Sequence, residues 1–154
     1  MAPLFLLLGA LSTPAGNPAR VQAALRQLPL QFEQGDTRTP FIVRQSGATM
    51  LLHADGIDLL LARQRRVVRL KFAGADPAVK MRSEQELPGK HHYFIGNKPE
   101  EWRSNVPTFA QVRYENLYPG VDLLYYGNGT ALEYDFVVAP GADPSSNTVT
   151  IAVQ

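Results

Sequence analysis

The sequence predicts an all-β, antiparallel, β-sandwich-like domain, and three observations predict it. Apolar and polar residues alternate with period two in run after run from residue 24 onward, which marks strands with one buried face. Gly-, Pro- and Asn-containing turns separate the runs. Only residues 19–28 carry a helical pattern. Several short strands punctuated by turns imply a sandwich or an open barrel.

The first segment, residues 1–23, reads as a signal peptide. Pro3-Leu4-Phe5-Leu6-Leu7-Leu8-Gly9-Ala10-Leu11 is the one long apolar run. It falls well short of the ~20 residues needed to span a bilayer. It suits the apolar core of a signal peptide, with Val21-Gln22-Ala23 as a cleavage site. A buried N-terminal strand is the competing reading. Export to the cell surface or the extracellular space is expected, with no transmembrane segment in the mature chain. Residues 24–154 then form a single module.

Residues 41–45, 49–53 and 57–62 read as short strands joined by Ser46-Gly47 and Asp55-Gly56 turns. Val68, Leu70 and Phe72 alternate with Val67, Arg69 and Lys71. Residues 74–90 and 96–107 hold Pro77, Pro88, Pro99 and Pro107 with Gly74, Gly89 and Gly96. They are expected to be two long loops. Ala110, Val112 and Tyr114 start another strand, and Thr148 to Val153 form the last. The expected core contains Val68, Leu70, Phe72, Val112, Leu123, Tyr134, Phe136 and Ile151.

Between these lies the strongest local signal, Tyr125-Tyr126-Gly127-Asn128-Gly129-Thr130-Ala131-Leu132. Asn-Gly between alternating runs predicts a hairpin with Asn128 and Gly129 as its loop. That register sets Val121 against Phe136, Leu123 against Tyr134 and Tyr125 against Leu132. It also sets Asp122 against Asp135, a like-charge pair that needs relief. Arg113 on the preceding strand is the expected cation. A bound Ca²⁺ is the sharper alternative, although only three local oxygen donors are in view and calcium takes more.

Composition bounds the chemistry. The chain has 154 residues, no cysteine, a net charge of +1, 45% hydrophobic and 19% charged residues. That supports one packed domain. Disulfides, thiolate metal sites and cysteine nucleophiles are excluded. No basic run argues for nucleic acid. His91-His92 cannot share a metal on a regular strand, since adjacent side chains point to opposite faces. Ser104, Ser145 and Ser146 lack a nucleophile elbow, and no phosphate-binding glycine motif follows a strand. No cofactor is implied. A non-catalytic module is expected. The alternative is carbohydrate binding through Trp102 with Tyr93, Tyr118 and Tyr126, and the competing structural role for Trp102 is to plug its loop against the sheet. Asp122 and Asp135 complete the candidate ligand-binding set.

Residues 86–144 carry a family resemblance. Its marks are Glu86-Leu87-Pro88-Gly89-Lys90, Tyr93-Phe94-Ile95-Gly96-Asn97, Trp102 and Asn105-Val106-Pro107-Thr108. Val112-Arg113-Tyr114, Tyr118-Pro119-Gly120-Val121-Asp122-Leu123 and the run from Leu132 to Pro144 continue it. Leu28-Pro29-Leu30-Gln31-Phe32-Glu33 extends it upstream. The chain resembles the N-terminal domain that precedes SBBP-type β-propeller repeats in large exported proteins of acidobacterial type. The resemblance implies a surface or extracellular module with a β-sandwich-like fold. Its partner would be the following propeller domain or another surface protein, with a glycan as the alternative ligand. That family domain has no assigned activity, so the resemblance assigns no functional residue. The last strand runs to Gln154, which reads as one module of a longer protein.

Overall fold

A computed structural model describes residues 29–45, 47–76, 78–142 and the backbone of 150–153. The helical pattern at 19–28 and the signal segment lie outside the described residues. In chain order the elements are β1 (Phe32–Gln34), β2 (Phe41–Gln45), β3 (Ala48–His53), β4 (Gly56–Leu61), β5 (Arg66–Ala73) and β6 (Lys80–Tyr93). A 3₁₀ turn (Pro99–Glu101) follows, then β7 (Arg103–Tyr118), β8 (Val121–Asn128), β9 (Ala131–Val138) and β10 (Thr150–Val153). The described residues contain no α-helix, and no helix among them is long and apolar enough to cross a membrane.

All pairings are antiparallel, in the order β10-β5-β4-β3-β2-β1-β7-β8-β9, with β6 on β7. The all-β, antiparallel expectation holds. The sheet, however, is a curled half-barrel rather than clearly two facing sheets. β7 is the pivot. One of its edges pairs with β6. The other meets β1 at Thr108 and Phe109, then β8 from Gln111 onward. The curl brings β5 against the C-terminal half of β7. There Phe72 packs edge-on to Tyr114 at 5.5 Å, and the Tyr118 hydroxyl donates to the Ala73 carbonyl at 3.1 Å.

Alternation decides what enters the core. On β8, Val121, Leu123 and Tyr125 are buried while Asp122, Leu124 and Tyr126 are partly exposed. Phe32, Phe41, Val43, Leu52, Ile57, Phe72, Phe109, Val112, Tyr114 and Leu117 complete the interior. Of the expected core, Phe72, Val112 and Leu123 are buried. Val68, Leu70 and Phe136 are only half-buried, because β5 and β9 lie towards the ends of the curl. Tyr134 is 49% exposed, for the same reason. The side chain of Ile151 lies outside the described residues.

Two further expectations are corrected. Most of 74–90 is strand, and 103–107 belongs to β7. Pro88 and Gly89 sit where the β6 register slips between Glu86 and Lys90. Proline is tolerated at such a break on an edge strand because no ladder donor is needed there. The second correction is the hairpin loop, which is Gly129-Thr130. Asn128 pairs with Ala131, and the register runs unbroken to Val121 against Val138. Gly129 takes the positive φ, +58°, as the first residue of a two-residue loop favours. The Leu30 amide donates to the Gly129 carbonyl at 3.0 Å, which anchors the tip. The slip moves each partner by two residues, so the faces are preserved. Leu123 meets Phe136, and Tyr125 meets Tyr134. At the β3–β4 turn the shift is in the other direction: the loop is one residue earlier than expected, at Ala54-Asp55, because His53 pairs with Gly56.

Candidate functional site

The β6–β7 hairpin ends in a projecting tip. Residues 94–105 are all exposed, yet they are locally ordered. The amides of Glu101 and Trp102 donate to the carbonyls of Lys98 and Pro99 at 3.0 and 3.1 Å. The Trp102 indole N–H donates to the Gly96 carbonyl at 3.3 Å. Its ring meets Phe94 edge-on at 5.3 Å, and His92 stacks on the same Phe94 ring at 6.0 Å. The Asn105 amide donates to His92 Nδ1 at 3.3 Å. Trp102 is 39%, Phe94 63% and Ile95 75% exposed. Trp102 therefore packs on its own loop and does not plug the tip against the sheet.

Behind the tip lies a cluster that sequence reasoning missed. Glu33 is on the outer face of β1 but is only 1% exposed. Its Oε2 accepts from the Tyr93 hydroxyl, lies 3.2 Å from His91 Nδ1 and accepts from Arg44 Nε at 3.4 Å. Oε1 has no hydrogen-bond partner among the described residues. The guanidiniums of Arg44 and Arg103 lie 5.7 and 6.0 Å from the Tyr93 ring centre. Arg103 also donates to the Gln34 carbonyl at 3.0 Å. Burial, then the neighbouring Glu33 carboxylate, pushes the Tyr93 hydroxyl above its ordinary pKa. This clasp joins β1, β2, β6 and β7. His91 and His92 turn to opposite sides, as strand alternation requires. No local spacing announces the cluster, since the partners of Glu33 lie 11, 58 and 60 residues away.

Asp122 and Asp135 are not opposed. Asp122 pairs with Val137, and Asp135 with Leu124. The like-charge pair disappears with the shift of the loop by one residue. Arg113 does reach Asp122, at 3.3 Å, and holds Glu84 at 2.6 Å. Asp122 Oδ1 also accepts the Asn116 amide at 2.8 Å. Asn116 has a positive φ of +50° and sits where the β7–β8 register slips between Tyr114 and Tyr118. Asp122 thus braces an irregularity in β7. Among the described residues no group of three His, Asp or Glu side chains could hold a metal ion.

The expected aromatic platform does not assemble. Tyr118 is buried at the end of β7. Tyr126 pairs with Gln111, nine positions along β7 from Trp102, which is roughly 30 Å of extended chain. Its hydroxyl is raised by burial and by Asp135 and Glu133 beside it. Only Tyr93 lies in the same arm as Trp102, and its hydroxyl turns to Glu33.

A cleft on the outer face of β3–β5 was also not foreseen. It is lined by His53, Asp55, Asp58, Arg69 and Lys71 among others. Arg69 clamps Asp58 through two bonds of 2.6 and 2.7 Å, which lowers the Asp58 pKa. His53 Nδ1 lies 2.9 Å from the Arg38 carbonyl, so that nitrogen carries a proton. Its Nε2 stands 3.6 Å from Asp58. Cross-strand pairing explains the cleft: Arg69 lies directly opposite Asp58.

The family model described as Domain of unknown function (DUF7948) matches residues 18–152, and the chain belongs to that family. No curated protein and no solved structure matches the chain.

Proposed function

We propose that this DUF7948 member is a non-catalytic interaction module of an exported bacterial surface or extracellular protein. Its contact element is the β6–β7 tip, and its partner is the β-propeller repeat domain that follows, or another surface protein. The observation that carries the reading is the ordered, exposed trio Phe94, Ile95 and Trp102. Contiguous exposed apolar side chains mark interaction sites, and aromatic residues are enriched at interface cores. A tip already held by its own hydrogen bonds loses little conformational freedom on docking. The apolar run at residues 3–11 supports export.

Trp102 is the sole tryptophan, so its emission reports on the tip. Adding the propeller repeat domain should shift the emission to shorter wavelength and protect it from acrylamide. A Phe94→Ser, Ile95→Ser variant should show neither change. Unaltered emission and quenching at saturating repeat domain would overturn docking on that partner.

The exposure of Trp102 also favours a second reading, glycan stacking on its ring. This platform differs from the expected one, since Tyr118 and Tyr126 are not part of it. A glycan array gives the decision. A signal lost in Trp102→Ala replaces the first reading with the second, and an empty array removes the second.

A further inference from the structure

We propose that β9 pairs with β9 of a second copy of this chain, in an antiparallel, two-fold arrangement centred on Phe136. Exposed strand edges invite pairing unless something blocks them. The edges in this fold are treated differently. β6 has Pro88, Gly89, two register slips and the charges of Lys80, Arg82 and Lys90. β10 is only four residues long. β9 runs eight residues in unbroken register against β8. It contains no proline, lysine or arginine, and nothing among the described residues pairs with its other edge. Tyr134, Val137 and Val138 are exposed on it.

The register follows from backbone direction and charge. The Gly129-Thr130 loop closes on the pair Asn128–Ala131, which a β-turn joins by a hydrogen bond. Antiparallel alternation then aims the amides of Glu133, Asp135 and Val137 at β8. The Ala139 amide, which donates to Gly120 at 2.9 Å, continues that parity. Leu132, Tyr134, Phe136 and Val138 therefore present their amides to the free edge. Two copies can bond only if residues of this second set face each other. Centring on Asp135 would oppose the two Asp135 carboxylates, which is unfavourable. Centring on Val137 would pair only Phe136 to Val138 of each β9 before Pro140, which has no amide hydrogen, fell opposite Tyr134. Centring on Phe136 separates the carboxylates and pairs Tyr134 to Val138 of each copy, with Pro140 opposite Leu132 beyond that span. Phe136 then faces its symmetry mate, Tyr134 faces Val138, and Asp135 faces Val137. Such a contact is isologous and closes on itself. It extends an aromatic series already present in each copy, in which Tyr114, Tyr125, Tyr134 and Phe136 contact in succession at 5.9, 5.9 and 5.7 Å.

Sedimentation equilibrium of the full chain tests this, together with cross-linking in a protein that has no native cysteine. A monomer–dimer equilibrium is expected. Val138→Pro removes a free-edge amide and no β8 ladder bond, and should weaken dimerisation at least about tenfold, with a Tm unchanged at concentrations where the parent chain is monomeric. Under mild oxidation Phe136→Cys should form a cross-linked dimer, because facing strand residues lie about 5.5 Å apart, within disulfide reach. Asp135→Cys should not. Preferential cross-linking of Asp135→Cys would overturn the register. A monomer at every concentration, with neither variant cross-linking, would overturn self-pairing.

Discussion

The Tyr93 hydroxyl donates to the Glu33 carboxylate, joining the edge strand β6 to β1 across the outer face of the sheet. Removing the acceptor leaves a phenol, an imidazole and a guanidinium around a void. Glu33→Ala should cost about 2–4 kcal/mol and Tyr93→Phe about 1 kcal/mol. Combining Glu33→Gln with Tyr93→Phe should reveal a coupling of roughly 1 kcal/mol in urea denaturation. Strict additivity would show that the two groups do not act together.

Burial pushes the hydroxyl of Tyr114 well above its ordinary value of 10.0, and that of Tyr125 up as well. In the unfolded chain both titrate near 10. Above that pH the unfolded state has lost protons that the folded state keeps. Their contribution is therefore complete below about pH 10 and is lost as pH rises further. Phenolate absorbance from these two residues should appear only together with loss of the far-ultraviolet signal. Among the described residues Tyr114 Oη also has no hydrogen-bond partner. Tyr114→Phe should thus be neutral or stabilising by up to about 1 kcal/mol at neutral pH, and should move the alkaline midpoint upward.

Leu123 is almost fully buried on β8, and its partner Phe136 is only half-buried on β9. Leu123→Ala should cost about 3–4 kcal/mol, and Phe136→Ala roughly 1–2 kcal/mol despite the larger side chain. Equal costs in a denaturant series would show that β9 is covered in solution, as pairing of two copies would cover it. Repeating the series at low protein concentration separates that cause.

At the β8–β9 tip, space around Gly129 is open, but its φ is +58°. Gly129→Asn should be close to neutral, whereas Gly129→Val should cost about 2 kcal/mol, since a branched side chain fits poorly at positive φ. Gly127 poses the opposite problem. A Cβ there would meet Leu30 Cβ at 2.8 Å and the Leu30 carbonyl oxygen at 3.0 Å. Gly127→Ala should push Leu30 away and speed exchange of its amide.

Strands whose two faces differ were legible in the sequence. Residues 41–45 match β2, and 49–53 and 57–62 match β3 and β4 within one residue. β6 was hidden because its residues are mostly polar on both faces. Pro88 and Gly89 read as loop signals, although they sit at a slip in an edge strand. β1 was too short to show a period. The hairpin was legible as a two-residue loop and in facing, but not in register or in turn type, since only Gly129 has a positive φ. Asn128-Gly129 and Gly129-Thr130 both satisfy turn chemistry, and the docking of Leu30 on the tip is a tertiary contact. Arg113 was found because it neighbours Asp122 on the next strand. The Glu33 clasp draws on four strands, so no window of sequence contains it.

The way β7 shares one edge between β1 and β8 has a kinetic corollary. β2 to β5 form a meander of adjacent hairpins, and β7 to β9 form another. Each can zip up from its own turns, at little cost in loop closure. β1 bridges the two, pairing with β2 on one side and with Phe109 and Thr108 on the other. It has only three residues and must wait for both surfaces to exist. The order of assembly is therefore two independent ribbons first and the seam at Phe32 last. Core substitutions within either meander should slow refolding, while those at Phe32 should act chiefly on the rate of unfolding.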